Sequence, residues 1–331
     1  MNTKKEKIFI TGATGFVGAN IARSLLKENY QVKALVRKNS NLANVKNLDI
    51  ELVEGSLNDE NLAQKMLDCD YLFHVAAHYS LWSKDKDLLY QNNVLGTRNI
   101  LQCAKKAGIK RTVYTSSVAA IGLRKDAILT DENYQSPVEK LIGNYKKSKY
   151  YAEQEAHLAV KNGQDIVIVN PSTPIGEYDI KPTPTGEIIV RFLTDNMPGF
   201  VNTGLNFIDV QDVAKGHILA LQKGKTGERY ILGNQNLTLS QFLEKLAIIT
   251  NKKPPQIEFP LWLPLSVAFM DEYVLSKFGK TPSIALEGVK MSGQFMYYDS
   301  SKAVRELGLP QTNIDEAIDR SVKWFQCNQV K

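Results

Sequence analysis

The chain has 331 residues, 43% hydrophobic and 23% charged, which excludes disordered, collagen-like and repeat architectures and allows a large buried core. Its 41 Lys+Arg against 35 Asp+Glu leave a net charge of +6, spread thinly and with no basic stripe interleaved with aromatics, so no nucleic acid partner is expected. Cys69, Cys103 and Cys327 are odd in number and far apart, which speaks against a disulfide framework or structural zinc and for buried thiols in a reducing compartment.

The chain opens on a polar stretch that is no secretory signal, with one of its two densest lysine clusters at Lys4, Lys5 and Lys7, then enters a short apolar strand, Lys7–Thr11. The other cluster lies further on, at Lys146, Lys147 and Lys149. A glycine-bearing loop leads into a helix over Phe16–Lys27. Further strands are predicted at Val32–Arg37, Ile50–Val53, Tyr71–Ala76, Thr112–Ser116 and Ile166–Asn170. Helical patterns at Leu62–Leu67, Leu88–Lys106 and Tyr145–Val160 separate them. This alternation implies an α/β fold with a doubly wound parallel sheet, the Rossmann arrangement.

Beyond Asn170, five prolines break the rhythm around one short helix, Glu187–Thr194. Asp209–Leu221 is helical again, and Arg229–Leu232 reads as a strand returning to the sheet. The remainder is mainly helical, with Thr238–Gln241 and Asn313–Glu316 spaced as capping boxes. The most apolar stretch, Phe259–Met270, is broken by Pro260 and Pro264 and too short to span a bilayer. A dinucleotide-binding Rossmann domain is expected over 1–170 and 206–235, and a smaller substrate-binding portion over 171–205 and 236–331, in a cytoplasmic protein with no integral membrane span.

The loop Thr11-Gly12-Ala13-Thr14-Gly15-Phe16-Val17-Gly18 places three glycines between strand and helix. Gly12 suits a tight turn, Gly15 the close approach of a pyrophosphate, and Gly18 helix–strand packing. NAD sites usually carry an acid about 20 residues on, for the ribose 2′-hydroxyl. No acid stands between Asn29 and Leu48, and the second strand ends at Arg37-Lys38 instead. A guanidinium there suits a 2′-phosphate, so NADP is expected ahead of NAD.

Tyr145 and Lys149 lie four apart, which stacks them on one helix face. A tyrosine exchanging protons near neutrality must drop about three units from its usual pKa, and a neighbouring ammonium can lower it. The spacing alone is weak, since it recurs elsewhere in the chain, as at Tyr273/Lys277. Only Tyr145/Lys149 lies between two strands of the nucleotide fold. Ser117, at the end of the preceding strand, is the candidate third partner for a substrate oxygen.

Together these pieces resemble the extended short-chain dehydrogenase/reductase family, in its epimerase/dehydratase and dihydroflavonol-4-reductase-like branches. His74-Val-Ala76-Ala77, Asn92-Asn93-Val-Leu-Gly96, Asn170-Pro171-Ser172 and Phe207-Ile-Asp209 agree with it. More narrowly, His74–Trp82, Asn170–Gly176, Lys181–Gly186 and Thr203–Asn206 are similar to proteins labelled hopanoid-associated sugar epimerases. The resemblance implies Tyr145 as acid/base, Lys149 on the nicotinamide ribose lowering the tyrosine pKa, and Ser117 on the reacting oxygen. It implies cofactor contacts along Thr11, Gly12, Thr14, Gly15, Phe16 and Gly18, at Arg37 and Lys38, at Ser56 and Leu57, at Ala76 and Ala77, and at Pro171 and Ser172. The family commonly has Asp after the third strand; this chain has Glu54-Gly55-Ser56-Leu57. A homodimer through the Leu88–Lys106 and Tyr145–Val160 helices is likewise expected.

Ser117 is followed by Val118-Ala119-Ala120, without the Asp-Glu pair that sugar-nucleotide dehydratases of the family carry, so dehydration is rejected. On the substrate side stand His78, Tyr79, Leu81, Trp82, Asn93, Tyr178, Ile189, Arg191, Phe192 and Phe200, an aromatic set suited to a hydrophobic carbonyl or alcohol. A diphosphate would want arginines, and of those in the C-terminal half only Arg191 lies in such a segment. The leading expectation is hydride transfer between NADP(H) and a small hydrophobic substrate. The alternatives are a nucleotide-sugar epimerase with tightly bound NAD and a non-catalytic dinucleotide-sensing protein.

Overall fold

The computed structural model describes residues 5–124, 128–277 and 285–328, and in the second stretch side chains to residue 273. Lys4 lies outside the described residues, as does the side chain of Lys277. Seven strands form the main sheet: β1 (Lys7–Thr11), β2 (Gln31–Val36), β3 (Glu51–Glu54), β4 (Tyr71–His74), β5 (Arg111–Thr115), β6 (Ile166–Pro171) and β7 (Arg229–Leu232). Their order is β7-β6-β5-β4-β1-β2-β3, and every pairing is parallel. The order reverses between β1 and β4, which opens a crevice at the carboxyl ends of those two strands.

Alternation along β1 feeds two cores. Ile8 and Ile10 face helices α1 (Phe16–Lys27) and, by the numbering used here, α4 (Val210–Lys223), packing with Ile21, Leu25 and Ile218. Phe9 faces the other layer, with Ile100 of α2 (Gly96–Ala107) and Ala152 and Ala156 of α3 (Asn144–Lys161).

The helix expected over Leu88–Lys106 is interrupted. It comprises Lys86–Leu89, a π-helical turn Tyr90–Leu95, and α2. The wide turn carries Asn93, whose side chain turns inward to bond a neighbouring loop, the kind of use to which π-bulges are often put.

The C-terminal portion holds helices but also a four-stranded sheet made by Thr173–Ile175, Gly204–Asp209, Gln235–Thr238 and Phe295–Met296. These runs are short and partly polar, so they carry no strand pattern. Over them sits a third core, where Phe207 and Phe242 stack at 4.3 Å. Ile189 and Phe192, expected to face substrate, are buried in this core, which corrects their assignment.

Thr238 and Gln241 form a reciprocal capping box. Asn313 instead accepts from Asp315 N–H at 3.0 Å, while Glu316 pairs along its helix with Arg320. Helix Trp262–Lys277 occupies the apolar stretch. Among the described residues no helix is long and apolar enough to cross a membrane. Cys69 and Cys103 are buried free thiols; Cys327 is exposed, against expectation, because it lies on the solvent side of the last helix.

Candidate active site

The glycine loop is shaped by what a side chain would strike. Gly12 has φ +76°, and a Cβ there would lie 2.7 Å from Ala76 N, so the turn rests against the chain leaving β4. At Gly18 a Cβ would lie 2.1 Å from Gly12 O, which is how closely α1 seats on the turn. Gly15 differs: its nearest neighbour, Gly12 O, would be 3.4 Å away, and no side chain caps the helix that starts after it. The first-turn amides therefore point at open space, an arrangement that fits a pyrophosphate.

Thr11 is almost fully buried, and its hydroxyl is occupied within the protein. It accepts from Val75 N–H at 3.2 Å and Ala76 N–H at 3.1 Å, leaving its proton for His74 Nδ1 at 2.8 Å. His74 Nε2–H then donates to Thr97 Oγ1 at 3.0 Å, a tautomer assigned from this network. Burial pulls the His74 pKa down to about 3, so it stays neutral. Thr11 thus ties β1 to β4 under the loop. The carbonyls of Thr14 and Phe16 accept from Asn44 and Asn20, bracing the loop.

At the end of β2, Arg37 and Lys38 are exposed, and neither has an ion-pair partner among the described residues. After β3, Ser56 N–H donates to Asp59 Oδ2 at 3.0 Å, and Ser56 Oγ accepts from Asn58 N–H at 3.3 Å, with its own proton still to give. The Leu57 carbonyl accepts from Asn99 at 2.6 Å. Ala76 and Ala77 line the opposite side, after β4. Pro171 closes β6, and the buried Ser172 Oγ beside it has no protein partner.

Ser117, Tyr145 and Lys149 converge beyond β5. Ser117 caps the short helix Val118–Ile121, its Oγ accepting from Ala119 N–H at 3.1 Å. Tyr145 sits in the first turn of α3, with the Tyr79 ring edge-on at 4.6 Å. Lys149, 3% exposed, donates from Nζ to the Thr115 carbonyl at 2.9 Å and lies over the Tyr114 ring. Burial pulls its pKa down to about 8, with Glu153 opposing.

The expected lowering of the tyrosine is not found. Burial pushes Tyr145 up to about 12, and only the hydrogen bond with Ser117 works against it. The reason is geometric: the Lys149 ammonium is directed to a backbone carbonyl rather than at the phenol. A phenol held protonated is a proton donor.

A layer behind these residues went unseen in the sequence. Glu153, 1% exposed and one turn beyond Lys149, pairs with Arg229 Nη1 at 2.9 Å and accepts from Asn170 Nδ2 at 2.8 Å. Asn170 Nδ2 also donates to the Ser117 carbonyl at 3.0 Å, so the buried carboxylate steadies the serine. Its spacing, four residues after Lys149, was the available signal. Lys146, part of what reads as a basic cluster, is 6% exposed, and burial pulls its pKa down to about 8.

Asn93 is a clamp. It accepts from His78 N–H at 2.7 Å, donates to the His78 carbonyl at 2.9 Å, and donates to Ser148 Oγ at 2.9 Å on α3. His78 Nε2 and Trp82 Nε1 are buried without a protein partner, and Tyr79 is 45% exposed beside Tyr145. Two candidates are engaged elsewhere. Arg191 is exposed and pairs with Glu187 on its own helix at 2.9 Å, and Tyr178 packs under the Arg23 guanidinium at 3.6 Å, beside Trp324. Phe200 packs on the third core. Among the described residues no cluster of His, Cys, Asp or Glu could hold a metal ion. Tyr273, which also has the Tyr-x-x-x-Lys spacing, is exposed on Trp262–Lys277.

The model of the NAD dependent epimerase/dehydratase family matches residues 8–233. A Synechocystis protein provisionally named dihydroflavonol 4-reductase is 63% identical over 322 residues, 96% of this chain and 94% of that protein. Sterol demethylase protein B of Methylococcus capsulatus is 32% identical over 96% of this chain and 97% of its own length. The solved structure of gox2253 superposes with a TM-score of 0.87 at 41% identity, covering 98% of this chain and 99% of that one. The chain belongs to the NAD dependent epimerase/dehydratase family, the extended short-chain dehydrogenase/reductases, and is an NAD(P)-dependent enzyme of oxidoreduction.

Proposed function

We propose that this protein is an NADP-dependent carbonyl reductase of the dihydroflavonol-reductase-like type, acting on a small hydrophobic carbonyl or alcohol in the cytoplasm. The observation that carries this reading is the convergence of Ser117, Tyr145 and Lys149 beyond β5, with the phenol bonded to Ser117 and Lys149 buried one turn along. Nicotinamide, when bound, supplies the hydride. Ser117 then holds the substrate oxygen, and Tyr145 gives its hydroxyl proton as that oxygen gains charge. Lys149 steadies the ribose side. The glycine loop, Ser56, Leu57, Ala76, Ala77, Pro171 and Ser172 hold the dinucleotide.

Reduction is favoured over nucleotide-sugar epimerisation by the arginines. Arg229 is committed to Glu153, Arg320 to Asp209, Arg191 to Glu187, and Arg305 donates to Ser301. A diphosphate would need one of them free in the cleft. The Synechocystis relative's name points the same way.

The test is to measure NADPH and NADH binding, then screen carbonyl compounds and sugar nucleotides with wild type and Tyr145→Phe. Net NADPH oxidation with carbonyls supports the proposal. Sugar-nucleotide turnover on retained NAD would replace it with epimerisation.

Arg37 supports NADP because it ends β2 where an acid would hold a 2′-hydroxyl. Arg37→Ala is expected to raise the Kd of NADPH about 30-fold, as for a lost charge-assisted bond of roughly 2 kcal/mol, and to leave that of NADH alone. Equal effects on both cofactors would remove the NADP assignment.

Homodimerisation through α2 and α3 is part of the same proposal. Their outer faces carry the exposed Tyr151 and Leu158 around a groove lined by Arg98, Leu101 and Glu155. Light scattering at micromolar concentration should give twice the chain mass; a monomer there would exclude the dimer.

A further inference from the structure

The catalytic helix starts without a cap of its own. Its N-cap residue is Gly143, which has no side chain to offer the first amides of an 18-residue helix. The missing acceptor comes from the far end of the chain. Glu287, in the helix Leu286–Met291, takes the Asn144 N–H on both carboxylate oxygens, at 3.2 and 3.1 Å. Gly143 is shaped for it: φ is +87°, and a Cβ there would lie 2.5 Å from Glu287 Oε2. The bonded amide is that of the residue immediately before Tyr145.

Glu287 is itself held in place. Glu272 accepts from Leu286 N–H at 3.1 Å and from Ser83 Oγ at 2.5 Å. Asn144 Nδ2 returns to the Ser83 carbonyl at 3.3 Å, closing a ring of contacts between the loop after β4, the start of α3 and the C-terminal portion. We propose that Glu287 is a positioning residue, a carboxylate lent by the C-terminal portion that fixes the first turn of the catalytic helix.

Two consequences follow from that placement. A negative group at a helix N-terminus is stabilising there, so the first turn, and with it Tyr145, is held in one setting. With burial, the same charge disfavours ionisation of the Tyr79 phenol nearby. The charged groups facing Glu287 are Glu272, which shares its sign, and Lys290 and Lys147, which oppose it. Around Tyr145 stand Tyr79, Ser117 and Lys149.

The inference rests on the proposed role of Tyr145, and the experiment separates the two. Glu287→Gln and Glu287→Ala are compared with wild type and Tyr145→Phe in both reaction directions. Glu287→Gln is expected to lower kcat about tenfold, the rate equivalent of one capping interaction, with the Kd of NADPH unchanged. Glu287→Asp, which keeps the charge, is expected to retain more of kcat than Glu287→Gln, which a merely structural cap would not require. Glu287→Gln keeps the side chain's size, so it carries the test should Glu287→Ala fail to fold. Wild-type kcat in Glu287→Gln, with Tyr145→Phe inactive, would overturn the inference alone; an active Tyr145→Phe would overturn the reading beneath it.

Discussion

Tyr145→Phe is expected to lower kcat for carbonyl reduction on the order of 10³-fold, as for loss of a positioned general acid, while leaving the Kd of NADPH and the melting temperature near wild type. The reasoning is local. The phenol hydroxyl is bonded to Ser117, whereas the ring is packed edge-on against Tyr79, and phenylalanine keeps the ring. The accompanying pH profile has a defined sign. Tyr145 is pushed up to about 12 and stays protonated through neutrality, so its own titration imposes no alkaline limb on reduction below that value. Lys149, pulled down to about 8 by burial, gives up its ammonium as pH rises through that value, and kcat should fall there. A steady-state profile from pH 6 to about 10 checks both points; a flat profile would show that the lysine charge is not used.

Glu153→Gln is expected to destabilise the fold by about 3–5 kcal/mol, because it leaves the Arg229 guanidinium largely buried without its carboxylate. The direction of the pH dependence agrees. Burial raises the Glu153 pKa, but His157, Arg229, Ser116 and Asn170 outweigh it and bring the group down to about 2 from 4.5. A carboxylate with a lowered folded-state pKa contributes stability above its unfolded value and loses it as pH falls through the folded one. For this residue that is on the order of 3 kcal/mol, present above about 4.5 and gone near 2. Urea titrations of both proteins at neutral and acid pH measure it; equal midpoints at pH 7 would show that the pair contributes nothing.

What the sequence made legible is what repeats with a period or needs a particular residue type. The strands Lys7–Thr11 and Arg229–Leu232 and the helix Phe16–Lys27 fall where hydrophobic alternation and the glycine loop put them. The three glycines play distinct parts because each is set by a nearby backbone atom, and a Cβ would collide at two of them. The small C-terminal sheet was hidden, since its longest strand has six residues and its shortest two. Substrate-side aromatics were the weakest reading, because an apolar side chain on a helix looks alike whether it faces a cleft or a core; Ile189 and Phe192 face the core. Lys146, in a run that reads as charged surface, is buried with only burial acting on it. Glu287 was invisible for another reason. Its partner, Asn144, is 143 residues away, and only the folded chain brings them together.

The most direct measurement uses NADPH carrying deuterium at nicotinamide C4, incubated with the protein and an apolar carbonyl panel, followed by mass spectrometry of the products. Deuterium on the new alcohol carbon, with one NADP formed per alcohol and neither in Tyr145→Phe, is the expected outcome. Unchanged cofactor alongside an epimerised sugar nucleotide would contradict it.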